Sequence, residues 1–174
     1  MLLKSIKLHN FRQFIGTQEI AFATDKDKNV TVLLGENGSG KTSLAQAFTW
    51  CLYGETDFSD KILLNKKVAF SMPKREIELV KVELNLIHNM VEYTIQREQE
   101  YQKNNNDELK QKPVVFKIFY KKDGQQEFLS PIESLSRMKE ILPVELSRYF
   151  FFDGERIGNL SKEILKGRSK EFAE

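Results

Sequence analysis

One cysteine in 174 residues leaves Cys51 nothing to pair with, which excludes an internal disulfide framework and a Cys-rich zinc site. No run of about 18 apolar residues occurs, so an ordinary spanning helix is not expected. The start, Met1-Leu2-Leu3-Lys4-Ser5-Ile6-Lys7, alternates apolar and polar residues and lacks the continuous apolar stretch of a signal peptide. A reducing, cytoplasmic setting without a membrane is the expectation. Charge of one sign is also missing: 27 Lys and Arg against 25 Asp and Glu leave a net +2, which neither demands nor excludes nucleic acid. Four prolines and nine glycines are too few for a low-complexity chain. His9 and His88 lie far apart, without metal-ligand spacing.

What is there suits one domain of ordinary size. Hydrophobic residues make up 40% and charged residues 30%, enough of each for a buried core and a solvated surface. Residues 2–9 and 17–23 read as two strands around a turn. Val30 to Leu34 is an uninterrupted apolar and β-branched run, the pattern of a strand buried on both faces. Thr42 to Tyr53 reads as a helix with Leu44, Ala45, Phe48, Cys51 and Leu52 on its apolar face, stopped by Gly54. Trp50 is expected to pack at an edge. Residues 55–73 show no period. Alternation over 76–87 and 91–98 predicts a strand pair turned at His88-Asn89, and Lys103 to Lys112 reads as an exposed loop. Val114 to Tyr120 predicts a strand, with a hairpin turn through Asp123-Gly124 into residues 127–129. Ser130-Pro131-Ile132-Glu133 is a capping box with proline at the first helical position, so a helix should run to about Leu142. Tyr149 to Phe152 reads as a short buried strand, and a helical pattern resumes from Glu155.

The sharpest feature is Gly35-Glu36-Asn37-Gly38-Ser39-Gly40-Lys41-Thr42, which matches G-x-x-x-x-G-K-[ST]. The glycines let successive backbone N–H groups turn inward toward phosphate oxygens, and the following helix directs its N-terminus at the same anion. Lys41 would neutralise the β- and γ-phosphates, and the Thr42 hydroxyl would ligate Mg²⁺. ATP with Mg²⁺ is therefore the expected ligand, held by Gly35, Asn37, Gly38, Ser39, Gly40, Lys41, Thr42 and Ser43.

The residues around this loop resemble a family. Ile6-Lys7-Leu8-His9-Asn10-Phe11-Arg12-Gln13-Phe14 resembles the opening of SMC-like and RecF-like ATPases. The loop carries their G-x-N-G-(S/A)-G-K-(S/T) wording, and Ala47 to Gly54 resembles their "AI-x-x-ALYG" helix ending. Tyr149-Phe150-Phe151-Phe152-Asp153-Gly154-Glu155-Arg156-Ile157 resembles the "FFFDGE-x-I" segment of SMC-like proteins of the DndD type, which belong to bacterial DNA sulfur-modification and defence systems. In related repair ATPases a Q-loop glutamine that touches Mg²⁺ and the hydrolytic water stands where this sequence has Asp153. A carboxylate also ligates Mg²⁺. The same segment also reads as a Walker B strand, with Asp153 on Mg²⁺ and Glu155 polarising water, although Gly154 separates the two acids. The residues alone are compatible with both readings.

The resemblance implies an α/β fold: a P-loop NTPase, the N-terminal lobe of an ABC/SMC-type head with a mixed β-sheet and flanking helices. It implies that residues 1–155 form that lobe, with the phosphate loop at 35–42 and a Q-loop-like segment at 149–157. Residues 156–174 would begin a helix leading toward a coiled coil. A C-terminal lobe of the same protein would bring the signature and Walker B motifs, and two heads would dimerise around ATP. Lys41, Asp153 and Glu155 would carry hydrolysis, with Thr42 and Asp153 at the metal. Arg12 would approach the nucleotide, or else be a solvated turn residue. DNA would be bound non-specifically through its backbone, with Lys66-Lys67, Lys74-Arg75, Lys110, Lys112 and Lys121-Lys122 as candidates. A nuclease or modification complex would be a further partner. Two other classes fit the loop: a self-contained small P-loop kinase or NTPase, and a nucleotide-gated binding module without turnover.

Overall fold

The computed structural model describes residues 1–122 and 124–146. The strand expected at 149–152, Asp153, Glu155 and the helix expected from 155 onward lie outside the described residues. The chain divides into two compact units, Met1–Ile141 and Leu142–Glu174. Of the second unit, only a single 3₁₀ turn, Val144–Leu146, falls among described elements.

The first unit is a seven-stranded sheet with helices against it. In chain order the elements are β1 (Leu2–His9), β2 (Thr17–Ala21), α1 (Lys41–Tyr53), α2 (Lys66–Ser71), β3 (Ile77–His88), β4 (Val91–Lys103), β5 (Leu109–Gln111), β6 (Val115–Lys122), β7 (Gln125–Phe128) and α3 (Pro131–Ile141). The strand order is β2-β1-β3-β4-β6-β7, with β5 added to the end of β4. The fold is α/β as expected, and its described ladders are antiparallel.

Period-two alternation sets which face is buried. Val80, Val82, Leu84 and Leu86 of β3 point to one face, joined there by Ile6, Leu8, Ile95 and Ile118, all at most 1% exposed. At roughly 1.5–3 kcal/mol for each fully buried aliphatic, this face is the main source of stability. The opposite face is a polar ladder. Thr94 donates to Asn85 at 2.7 Å, Asn85 to Ser5 at 3.1 Å, and Gln96 to Glu83 at 2.7 Å. Glu92 accepts from Lys121 and from Lys4, and these bonds hold its carboxyl below the usual range.

Helix α1 lies on the buried face. Leu44, Ala47, Trp50, Cys51 and Leu52 are covered, and the Cys51 sulfur sits 3.5 Å from the carbonyls of Val82 and Ile95. Burial pushes that thiol up to about 12, so Cys51 is a core residue and not a reactive one. Two details of the expected face change. Ala45 is exposed, and Trp50 is not at an edge: it is 3% exposed, with its ring 5.7 Å from that of Phe11. The capping box of α3 forms as read, with Ser130 N–H donating to Glu133 at 2.9 Å and Glu133 N–H to the Ser130 hydroxyl at 3.4 Å.

The expected buried strand at Val30–Leu34 is not formed. These residues have no ladder partner among the described residues, and Val30, Val32 and Leu34 are 78%, 72% and 92% exposed. A strand buried on both faces needs neighbours at both edges, and neither β2 nor β7 pairs with this run. Three smaller differences are local. The β3–β4 turn is centred on Asn89-Met90, with φ of 49° and 63°, one residue later than expected. Asn104, which accepts from the N–H groups of Asn106 and Glu108, folds the expected loop so that β5 can pair with β4. Helix α2 forms where no period was visible, because Asn65 caps it by accepting from Lys67 and Val68 N–H.

Candidate functional site: the phosphate loop and its supports

Residues 35–40 run from the exposed 30–34 segment into the first turn of α1. Gly40 has φ of 111° and precedes the helix with no side-chain cap bond. A Cβ at Gly40 would come within 3.0 Å of both Gln13 and Phe14, so glycine is required there for space as well as for conformation. The helix begins with no side-chain cap, and first-turn N–H groups, which have no partner within a helix, are donors suited to an anion. Ser39 N–H donates to Glu36 at 3.2 Å, closing the loop.

Lys41 turns back into this loop. Its ammonium donates to the carbonyls of Gly35 at 2.5 Å and Glu36 at 2.8 Å. That puts a full positive charge inside the ring of residues 35–40, beside the helix N-terminus, whose dipole has the same sign. Thr42 is exposed next to it. The donor set is cationic and rich in N–H groups, which suits phosphate. A single exposed hydroxyl suits Mg²⁺ held mainly by the phosphates themselves. Among the described residues no cluster of three or more His, Cys, Asp or Glu could hold a metal alone.

The loop is braced by the turn after β1. Asn10 and Arg12 both adopt positive φ, 50° and 52°. Asn10 is 6% exposed and holds the turn by accepting from Gly16 N–H at 2.9 Å. Asn65 crosses from the start of α2, its side chain donating to the Arg12 carbonyl at 2.5 Å and its N–H to that of Asn10 at 2.8 Å. The turn thereby presents Gln13 and Phe14 to Gly40, and Gln13 accepts from the Ser43 hydroxyl at 2.6 Å. The side chain of Ser43 is thus committed to the brace, and only its backbone faces the loop.

Arg12 itself is placed elsewhere. Its guanidinium lies 4.4 Å over the Phe58 ring, donates to the Ile62 carbonyl at 2.8 Å and pairs with Asp60 at 3.6 Å. The residues that touch the loop are its neighbours, Gln13 and Phe14. Both stand within the family-like opening, where the sequence alone assigns them no role. Nor does it assign one to Arg97. Arg97 reaches the far end of α1, donating to the carbonyls of Cys51 at 3.0 Å and Leu52 at 3.3 Å, with Phe116 stacked at 4.4 Å. Burial lowers its affinity for the proton, but an arginine stays charged. A cation at a helix C-terminus complements the dipole that α1 presents to the phosphate loop at its other end.

A glycine-rich loop braced against the N-terminus of a helix, over a sheet, defines a P-loop NTPase fold of the SMC head type. The chain matches the model of the AAA domain family over residues 5–174 and belongs to that family. It is 33% identical over 82 residues to the DNA double-strand break repair Rad50 ATPase of Methanococcus maripaludis, covering 46% of this chain and 8% of that protein. It is 29% identical over 120 residues to the C subunit of nuclease SbcCD of Vibrio cholerae, covering 68% of this chain and 12% of the relative. It is 29% identical over 142 residues to the chromosome partition protein Smc of Fusobacterium nucleatum, 81% of this chain and 10% of that one. The chain thus spans about a tenth of the length of these relatives.

Proposed function

We propose that the chain is the ATP-binding N-terminal lobe of an SMC-like ATPase that acts on DNA in modification, defence or repair. The observation that carries this reading is Lys41 held inside a closed, N–H-rich loop at the uncapped start of α1. Gly35 to Ser43 would bind the triphosphate through backbone N–H groups and the Lys41 ammonium, and the Thr42 hydroxyl would be the residue that holds Mg²⁺. Bound Mg²⁺ would supply neutralisation of the charge on the phosphates. The chain's own part is to position the phosphates and to place Lys41 where charge develops. Asp153 and Glu155 are proposed to complete this work at the metal and the water. Arg12 serves as a positioning residue, since its contacts fix the turn that carries Gln13 and Phe14.

The exposed apolar run Val30, Val32 and Leu34 supports a second lobe as partner. Such a run is costly to leave in water and has the composition of a central strand. A C-terminal lobe of the same protein would supply the missing ladder, and two heads would close around ATP. Soluble partners on DNA, such as a nuclease or a modification complex, fit this architecture. Among the described residues no helix is long and apolar enough to cross a membrane. The proposal is tested by turnover: the chain should bind Mg-ATP yet hydrolyse it at no more than a few per cent of a completed head's rate. Robust single-chain hydrolysis, lost on Glu155→Gln, would instead assign Asp153 and Glu155 as a self-sufficient Walker B pair.

A further inference from the structure

We infer that the groove beside α2 is a binding site for an unpaired nucleobase of single-stranded nucleic acid, stacked on Phe70. The groove holds about 520 Å³ and is floored by Ile62, Leu64 and Leu109, with Phe70 at its wall and Lys66 and Lys103 along it. Phe70 is 88% exposed, an unusual place for a phenyl ring beside an apolar groove. Lys66, Lys67 and Phe70 stand at i, i+1 and i+4, so one helical face carries two ammonium groups a turn away from an aromatic ring.

Charge complementarity selects the occupant. The groove has two carboxylates, and both are taken. Asp60 pairs with Arg12 at 3.6 Å, and Asp107 with Lys74 at 3.2 Å and Lys103 at 3.8 Å. Elsewhere on the surface Lys112, Lys117 and Lys121 are likewise paired with Glu100, Glu98 and Glu92. Lys66 and Lys67 form no ion pair among the described residues, and neither does Arg75, whose guanidinium donates only to the Asn105 side chain at 3.0 Å. The local excess is positive, set around an exposed phenyl ring and an apolar floor. Phosphates answer the first and a base face answers the second. In a duplex the base faces are already stacked, so only an unpaired strand can offer one to Phe70.

This inference rests on the reading that the protein acts on nucleic acid, and the test separates the two. Binding of the full chain to a labelled oligothymidylate of about 15 nucleotides, and to a blunt duplex of equal length, is followed by fluorescence anisotropy between about 50 and 200 mM salt. Phe70→Ala should weaken the single strand about 5- to 100-fold while leaving the duplex unchanged. Phe70→Trp should retain single-strand binding. Lys66→Gln with Lys67→Gln should flatten the salt slope for the single strand by about 0.7 for each phosphate no longer neutralised. Phe70 is exposed, so its removal should leave the thermal midpoint in place, which is checked alongside. Unchanged single-strand affinity in Phe70→Ala, with the duplex still bound, overturns the groove assignment alone. Failure of the wild type to bind either nucleic acid overturns both readings. Self-association in sedimentation that disappears with Phe70→Ala, without oligonucleotide binding, gives the face to a second copy of this chain and also overturns the inference.

Discussion

Lys41→Ala should abolish measurable ATP binding, with affinity falling by at least about 100-fold in calorimetric titration. Lys41 is exposed, and its ammonium donates to the carbonyls of Gly35 and Glu36 within its own loop. Those carbonyls lie open to water, so removing the side chain leaves no buried group unpaired. The variant should therefore fold with a thermal midpoint near that of the wild type. What is lost is the one full positive charge inside the loop, and a charged hydrogen bond to phosphate is worth about 1.5–3 kcal/mol. Lys41→Arg should not rescue binding, because a planar fork cannot enter a ring that a compact ammonium fills. Affinity within a few-fold of wild type for Lys41→Ala would remove the basis for assigning the loop to phosphate.

Arg97→Met is expected to have the reverse profile, a large loss of stability with little direct effect on the nucleotide. The guanidinium is half-buried between α1 and Phe116, and it satisfies the carbonyls of Cys51 and Leu52 at the helix end. Methionine fills much of the same volume but donates nothing, so two carbonyls lose charged partners. The cost should be about 3 kcal/mol, or roughly 6–12 °C in thermal midpoint for a chain of this size. Lysine should recover only part of it, because it lacks the fork and the flat face that stacks on Phe116. A change below about 0.5 kcal/mol in denaturant unfolding would show that Arg97 is a surface residue in energetic terms.

Most of the sheet was legible in the sequence because its burial is one-sided. In β3, Val82, Leu84 and Leu86 alternate with polar residues, and that pattern fixes which face is buried, while Ile77 and Leu79 fall on the other face and Val80 on the buried one. Helix α1 was legible from its apolar face and its stop at Gly54, and α3 from the start signal of its Ser130 capping box. The phosphate loop could be read because it is built from consecutive residues. Its supports could not, because they come from three places. Gln13 lies after β1, Asn65 caps α2 and Arg97 belongs to β4, and only the folded chain brings each to α1 or to the turn beside it. Val30–Leu34 misled because composition reports what a segment would bury and not whether a neighbour is present to bury it. Helix α2 was hidden because six residues are too few for a period, and its cap, Asn65, has no glutamate three residues on to mark it.

Residues 35–43 are the proposed seat of a nucleoside triphosphate. The most direct measurement is the amide NMR spectrum of the chain titrated with Mg-ATP. Saturable shifts should be largest at Ser39, Gly40, Lys41, Thr42 and Ser43, with smaller ones at Gln13 and Phe14 on the bracing turn, and they should vanish in Lys41→Ala. Shifts centred on another part of the molecule, with the 35–43 amides unmoved at saturation, would contradict it.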